Sequence, residues 1–141
     1  MKFTILLPPK AQKRARSRAV MQGDRAFSMT YKDKGQRLEE DKFIAMLCQF
    51  RPAVPFMGPI LIGVKAYLPI PESKPKKFKA AAFSGYIRPT TKPDLDNLLK
   101  HFKDCCKGIF WLDDKQVVGY LPETGKYYGY PARWEIEIRG V

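Results

Sequence analysis

The sequence predicts a single α+β domain, a small mixed or antiparallel β-sheet packed against two main helices, on three observations. Two segments repeat apolar residues at the helical period. Several shorter ones are rich in β-branched and aromatic residues or alternate apolar with charged. Pro and Gly punctuate them at spacings that suit hairpins. The chain has 141 residues, 45% hydrophobic and 13% aromatic, enough to bury one core, and no internal repeat or low-complexity tract divides it.

Lys2 to Leu7 reads as an opening strand that stops at Pro8-Pro9. The run from Lys10 to Arg18 is dense in cations and holds no acid, so it suits phosphate contact as well as a solvated loop. Ala26 to Tyr31 suits a second short strand. From Gln36 the pattern turns helical: Leu38, Phe43, Met46, Leu47 and Phe50 can share one side, Glu39, Glu40 and Lys42 face water, and Arg51-Pro52 stops the helix, which reads as scaffold. Ile60 to Leu68, opened by Gly58-Pro59 and closed by Pro69, is expected to be a central strand. The segment from Glu72 to Lys92 carries Lys74, Lys76, Lys77, Lys79, Arg88 and Lys92 against one acid, with alanine-rich helix formers near its start; it is a second basic surface.

The second main helix begins after Pro93. Asp94 suits its N-cap. Leu95, Leu98, Leu99, Phe102, Cys105, Cys106 and Ile109 fall within one arc at about 100° per residue, while Asp96, Asn97, Lys100, Lys103, Asp104 and Lys107 fall opposite, and Gly108 is a plausible stop. Ile109 to Leu112 is expected to return the chain to the sheet and present Asp113 and Asp114 at its end, with Gln116 on the side of Asp114. Val117 to Tyr120 continues as a strand, Glu123 to Gly125 turns, and Ala132, Trp134, Ile136 and Ile138 alternate with charged residues in a last strand.

Lys and Arg outnumber Asp and Glu by 26 to 14, a formal charge of +12, which points to a polyanionic partner, nucleic acid before anionic membrane. The longest apolar runs are far shorter than a bilayer span of ~20 residues, and the N-terminal apolar run is too short for a signal peptide. Three cysteines, Cys105 and Cys106 adjacent, argue against a disulfide framework and for small buried apolar residues in a reducing cytoplasm.

Against that positive background, the pairs Asp94 and Asp96, and Asp113 and Asp114, stand out. Gathered carboxylates repel, and a cation or shared proton offsets the repulsion. Two residues apart on a continuous helix, Asp94 and Asp96 would diverge by about 200°, so both can face one ion only if Asp94 precedes the first turn with extended backbone. Lys100 shares the face of Asp96, where it could meet a phosphate oxygen or restrain the carboxylate. Phosphodiester hydrolysis needs an activated water and charge stabilisation on the attacking and leaving oxygens, which carboxylate-held Mg²⁺ supplies, with Mn²⁺ an acceptable substitute. Lys100 would stabilise transition-state charge. Zinc is disfavoured, because His101 is the only histidine and no cysteine pair has ligand spacing; His101 is expected at the helix edge in a surface role. No convincing base accompanies a serine or cysteine nucleophile, and no Gly-rich phosphate loop is present. A phosphatase reading of Asp94-Leu-Asp96 fails because no apolar strand precedes it.

Lys-Pro-Asp-Leu-Asp-Asn-Leu-Leu-Lys100, followed after a helix by Phe-Trp-Leu-Asp-Asp-Lys-Gln-Val-Val118, resembles the RusA family of Holliday-junction resolvases, common in prophages. The likeness extends more loosely to the Pro-Pro turn with its basic residues and to the strand ending Leu-Pro-Ile-Pro. The resemblance implies a homodimeric, magnesium-dependent endonuclease that binds four-way junction DNA and nicks two strands symmetrically in recombination and repair. It implies Asp94, Asp96, Asp114 and Lys100 as catalytic residues, with Asp113 a supporting metal ligand beside Asp94, Asp96 and Asp114. An isologous dimer matches the approximate two-fold symmetry of such a junction. The candidate DNA contacts are Lys10, Lys13, Arg14 and Arg16 in the first basic run and Lys76, Lys77, Arg88 and Lys92 in the second. Two other readings stay open: a less selective metal-dependent nuclease of branched or single-stranded DNA, and a non-catalytic junction-binding protein in which the acids are caps and ion pairs.

Overall fold

The structure, a computed structural model, describes residues 1–11, 16–22, 25–31 and 34–141, and for 16–22, 25–31 and 36 the backbone only. In chain order the elements are β1 (Lys2–Ile5), β2 (Arg16–Gln22), β3 (Arg25–Tyr31), α1 (Lys34–Cys48), β4 (Ile60–Leu68), α2 (Lys76–Phe83), α3 (Leu95–Cys106), a 3₁₀ turn (Asp114–Gln116), β5 (Val117–Tyr120), β6 (Gly125–Tyr128) and β7 (Arg133–Gly140).

The main sheet is built outward from β4, whose residues Ile60, Ile62, Val64, Ala66 and Leu68 are buried at the strand period. It pairs antiparallel with β7, and β7 with β1. On its other side β4 pairs parallel with two short strands, β5 against Ile60 to Ile62 and β6 against Lys65 to Leu68. The result is a mixed five-stranded sheet in an α+β fold; β2 and β3 form a separate antiparallel ribbon.

Period two divides the chemistry of the sheet. Trp134, Ile136 and Ile138 of β7 join Phe3, Ile5 and the buried residues of β4 in one core with Phe43 and Leu47 of α1 and with Leu98, Phe102 and Cys106 of α3. Rings knit the layers together: Trp134 stacks on Phe43 at 5.0 Å and on Phe102 at 6.1 Å between centroids. Full burial of a side chain such as Leu98 or Phe102 contributes about 1.5–3 kcal/mol, so the apolar arc of α3 fixes that helix to the sheet. Between the core residues of β7, Arg133 pairs with Glu135 and Arg139 with Glu137, and Lys2 of β1 lies 3.9 Å from Glu137.

Several expectations change. The first strand ends at Ile5, not Leu7. Helix α1 starts at Lys34 and leaves Leu38 exposed, because its packed stripe is confined to its second half, around Phe43 and Leu47. The basic run is not one loop: β2 begins at Arg16. The four-residue strand β6 was not anticipated. Ile109 to Leu112 does not rejoin the sheet. Gly108, at φ +85°, turns the chain sharply, as a residue without Cβ allows, and the Phe110 carbonyl accepts from Phe56 N–H at 2.8 Å. The sheet resumes only at Val117. His101 is buried, not superficial, because α1 crosses α3 there and stacks Phe43 on its ring at 5.6 Å.

Candidate active site

Pro93 leads into α3 through a cis Lys92–Pro93 peptide, and Asp94 takes the N-cap position with extended backbone (φ −67°, ψ 145°). Its carbonyl starts the helix by accepting from Leu98 N–H at 3.1 Å, but its carboxylate makes no capping hydrogen bond. The condition for Asp94 and Asp96 to serve one ligand, an extended residue ahead of the first turn, is therefore met. Both carboxylates are exposed at the end of the helix where free amides and the macrodipole favour negative charge. Lys100 is exposed one turn on. Among the described residues no ion pair joins it to Asp96, which leaves its ammonium for a ligand.

The second acid pair is organised by the 3₁₀ turn. Asp113 caps it, its Oδ1 accepting from Lys115 N–H at 3.0 Å. That hydrogen bond is the largest influence and holds the Asp113 carboxyl below the usual aspartate range; desolvation, second in size, opposes it, and the charges of Lys115 and Lys107 assist it. Gln116 completes the box: its Oε1 accepts from Leu112 and Asp113 N–H, and its Nε2 donates to the Phe56 and Gly58 carbonyls. Asp114 is half-buried and oriented by the indole of Trp111, whose Nε1 donates to Oδ1 at 2.9 Å. Asp113 and Asp114 therefore do not project from a strand, and Gln116 is a brace for the turn.

The two pairs lie against different parts of α3. Lys107, the C-cap, is one of the charges acting on Asp113. Burial raises the Cys106 thiol pKa well above its ordinary value, and neighbouring Cys105 and then Asp114 push it further, so Asp114 lies within electrostatic reach of the helix's last turn. From Asp96 to Cys106 the helix rises about 15 Å. In keeping with this, no three His, Cys, Asp or Glu side chains among the described residues are grouped so as to hold a metal ion.

Around Asp94 the surface is concave. One cleft of about 520 Å³ brings Asp94 and Asn97 together with Lys10, Lys92 and Pro93. A second, also of about 520 Å³, shares Pro9, Lys10, Lys92 and Pro93 with it and runs on toward Phe78 and Tyr128. The loop that carries Lys92 and Asp94 is pinned to β6 in both directions: Arg88 Nε donates to the Lys126 carbonyl and Lys126 Nζ to the Thr91 carbonyl, each at 2.6 Å. The Arg88 guanidinium lies 3.8 Å over the Tyr127 ring, which stacks on Tyr67, itself under Arg133.

The profile of the endodeoxyribonuclease RusA family matches residues 7–139 of this sequence. The chain belongs to the RusA family. It is also similar to a Bacillus subtilis (strain 168) protein, Uncharacterized protein YqaN, at 35% identity over 144 residues, covering all of this chain and 96% of that one. The RusA match spans both acid pairs and both clefts. An endodeoxyribonuclease must bind a polyanion and hydrolyse it, and the surface around α3's first turn combines cations with the exposed carboxylates of Asp94 and Asp96.

The basic residues divide accordingly. Lys10, Arg88 and Lys92 line the clefts, Lys10 while 3.4 Å from Glu39. Lys76 and Lys77 are exposed in the first turn of α2. Lys13 and Arg14 lie outside the described residues, and Arg16 is placed only by its backbone, opposite Tyr31. Trp111, Gln116 and Lys126 were not singled out as site residues from sequence. The spacing of Trp111 to Asp114 and the Asp-x-x-Gln box from Asp113 to Gln116 were signals for the first two; nothing local marked Lys126.

The donors present are hard carboxylate oxygens of the kind Mg²⁺ prefers, and among the described residues those of Asp94 and Asp96 are engaged by neither the helix cap nor an ion pair. Their chemistry fits such an ion, although among the described residues no three of them are grouped around a point.

Proposed function

We propose that this chain is a Mg²⁺-dependent endonuclease, with Mn²⁺ a workable substitute, that resolves Holliday junctions by paired symmetric nicks in recombination and repair. Its setting is the cytoplasm, as a prophage-type enzyme. The observation that carries the reading is Asp94: an extended, exposed N-cap whose carboxylate does no capping and lines a cleft flanked by Lys10 and Lys92. No helix among the described residues is long and apolar enough to cross a membrane, and the cations are read as contacts to DNA.

In this mechanism Asp94, Asp96 and Asp114 would hold the ion, with Asp113 as their neighbour. Mg²⁺ held by these residues would supply water activation and charge stabilisation at the attacked phosphate. Lys10 and Lys92 seat the strand, and Lys100, held on the polar face of α3, neutralises charge that develops on the phosphate oxygens. Trp111 keeps Asp114 in one orientation. The distance between the acid pairs along α3 supports a homodimer in which two chains contribute to each site, which also suits a substrate with two equivalent strands.

Synthetic four-way junctions test this. The wild-type chain with Mg²⁺ should give paired nicks, and Asp94→Asn should lower the rate by about a hundredfold or more, the loss of several kcal/mol of metal-assisted stabilisation. Undiminished cutting by the variant removes Asp94 from the mechanism. Equal cutting of forks, flaps and linear duplex would favour the less selective nuclease. Binding without cutting under any divalent ion would favour a non-catalytic junction-binding protein.

A further inference from the structure

We propose that the cleft between the Pro8-Pro9 turn and α2 seats an unstacked nucleobase of the DNA strand, whose phosphates lie on Lys10 and Lys92. The proposal rests on the reading of the substrate as branched DNA and specifies what the protein does with the bases at the branch.

The cleft encloses about 520 Å³, within the roughly 300–1,000 Å³ typical of sites for small organic groups. Its walls are largely apolar, and two of its side chains, Phe78 of α2 and Tyr128 of β6, meet edge to face with centroids 6.0 Å apart and ring planes at 67°. The cations that line it are Lys10, Lys74, Arg88 and Lys92, and among the described residues no acid does. Lys74 Nζ lies 5.1 Å from the Phe78 ring centre. A purely apolar ligand would have no use for four cations, and a bare phosphate none for two rings; a nucleotide uses both.

The walls are also held in place. Tyr128 belongs to β6, paired to the central strand opposite Leu68. The opposite wall is the loop that Arg88 and Lys126 pin to that same strand, so a seated base would not have to order it. Because Pro9, Lys10, Lys92 and Pro93 line this cleft and the one containing Asp94, a strand leaving one enters the other. Bases at a branch have lost a regular stacking neighbour, which makes them the least costly to extrude. Such a seat would place the phosphate next to the displaced base at the acids and give any sequence preference at the cut a physical origin.

The test is binding of the full chain to four-way junctions, followed by fluorescence anisotropy without divalent ion so that no strand is cut. A series of junctions lacks one base at a time near the branch. Removing the seated base should weaken wild-type binding about tenfold, in line with base-on-ring stacking. Phe78→Leu should bind the intact junction about tenfold more weakly and be indifferent to the missing base, and Phe78→Trp should restore both properties. Tyr128→Leu, which removes the β6 ring in contact with Phe78, should show the same coupling and guards against a local failure of α2. The proposal is overturned if no single missing base matters to the wild type by more than about twofold, if the losses from Phe78→Leu and from the missing base multiply independently, or if the intact junction is not bound. Cleavage is scored separately with Mg²⁺: coupling without cutting retains the seat and removes the nuclease reading, and cutting without coupling does the reverse.

Discussion

The two ends of α3 treat their carboxylates in opposite ways. At the N-terminal end the helix is started by the Asp94 carbonyl, and the side chains of Asp94 and Asp96 stand exposed with no role in the cap. Beyond the C-terminal end Asp113 is consumed in capping a 3₁₀ turn, and Asp114 is gripped by an indole N–H. One pair is available and loosely held, the other pre-oriented and partly used. Free carboxylates cost the fold little and can be spent on a ligand; fixed ones stabilise the fold and give the site its geometry.

The contrast is broken most directly at Asp94. Asp94→Asn should remove about a hundredfold or more of the cutting rate while changing stability by no more than about 0.5 kcal/mol, since the substitution touches only an exposed charge near a helix dipole. Urea unfolding measured beside the cleavage assay checks both halves. A large loss of stability would mean that the acid is a cap after all.

Gln116→Ala probes the other end. It leaves the Leu112 and Asp113 amides and the Phe56 and Gly58 carbonyls without their side-chain partner, at a cost of about 2 kcal/mol, or a Tm lower by about 6 °C. Thermal melting measures it; a Tm within a degree of the wild type would show that solvent replaces the brace freely. Trp111→Phe is narrower. It keeps an aromatic ring in the core beside Phe102 but removes the donor to Asp114. We expect kcat to fall about tenfold with KM for the junction unchanged, the signature of a positioning residue. An unchanged kcat would mean that Asp114 needs no guide.

What sequence could show follows from the range of the interactions. Helix α3 was legible because Leu98, Phe102 and Cys106 repeat at the helical period, β4 because a run rich in β-branched and aromatic residues lies between Pro59 and Pro69, and β7 because its alternation survives within a single strand. The extended backbone at Asp94 was legible from its position after Pro93. Strand β6 was not: Gly125 to Tyr128 shows no alternation, and it is a strand because it pairs with β4, some sixty residues earlier. A separation of 38 residues from Lys126 hid the role of Arg88, read as a DNA contact but found stacked on Tyr127 and bonded to the Lys126 carbonyl while still lining the cleft. The 3₁₀ turn is too short for periodicity, so Asp113 and Asp114 were assigned to the end of a strand. The separation of the acid pairs along α3 became visible only once the chain beyond Gly108 was seen to turn back beside the helix's end.

The smallest expected effect separates Asp113 from Asp114 by pH. The Asp113 carboxyl is held below its unfolded value, first by the Lys115 N–H and then by the charges of Lys115 and Lys107. A group with a depressed folded pKa contributes its stabilisation in full above the unfolded pKa, about 3.9 for aspartate, and loses it as pH falls through the lower folded value. Asn at this position can still accept from Lys115 N–H but cannot titrate. The stability difference between wild type and Asp113→Asn should therefore be constant from neutral pH down to about pH 5 and shrink toward about pH 3, as paired urea titrations would record. Because the carboxylate is solvent-exposed, the change will be small, but its direction is fixed. A difference that grows as the pH falls would mean that the capping carboxylate is not stabilised in the folded chain, and the contrast between a used and an unused acid pair would lose its firmer half.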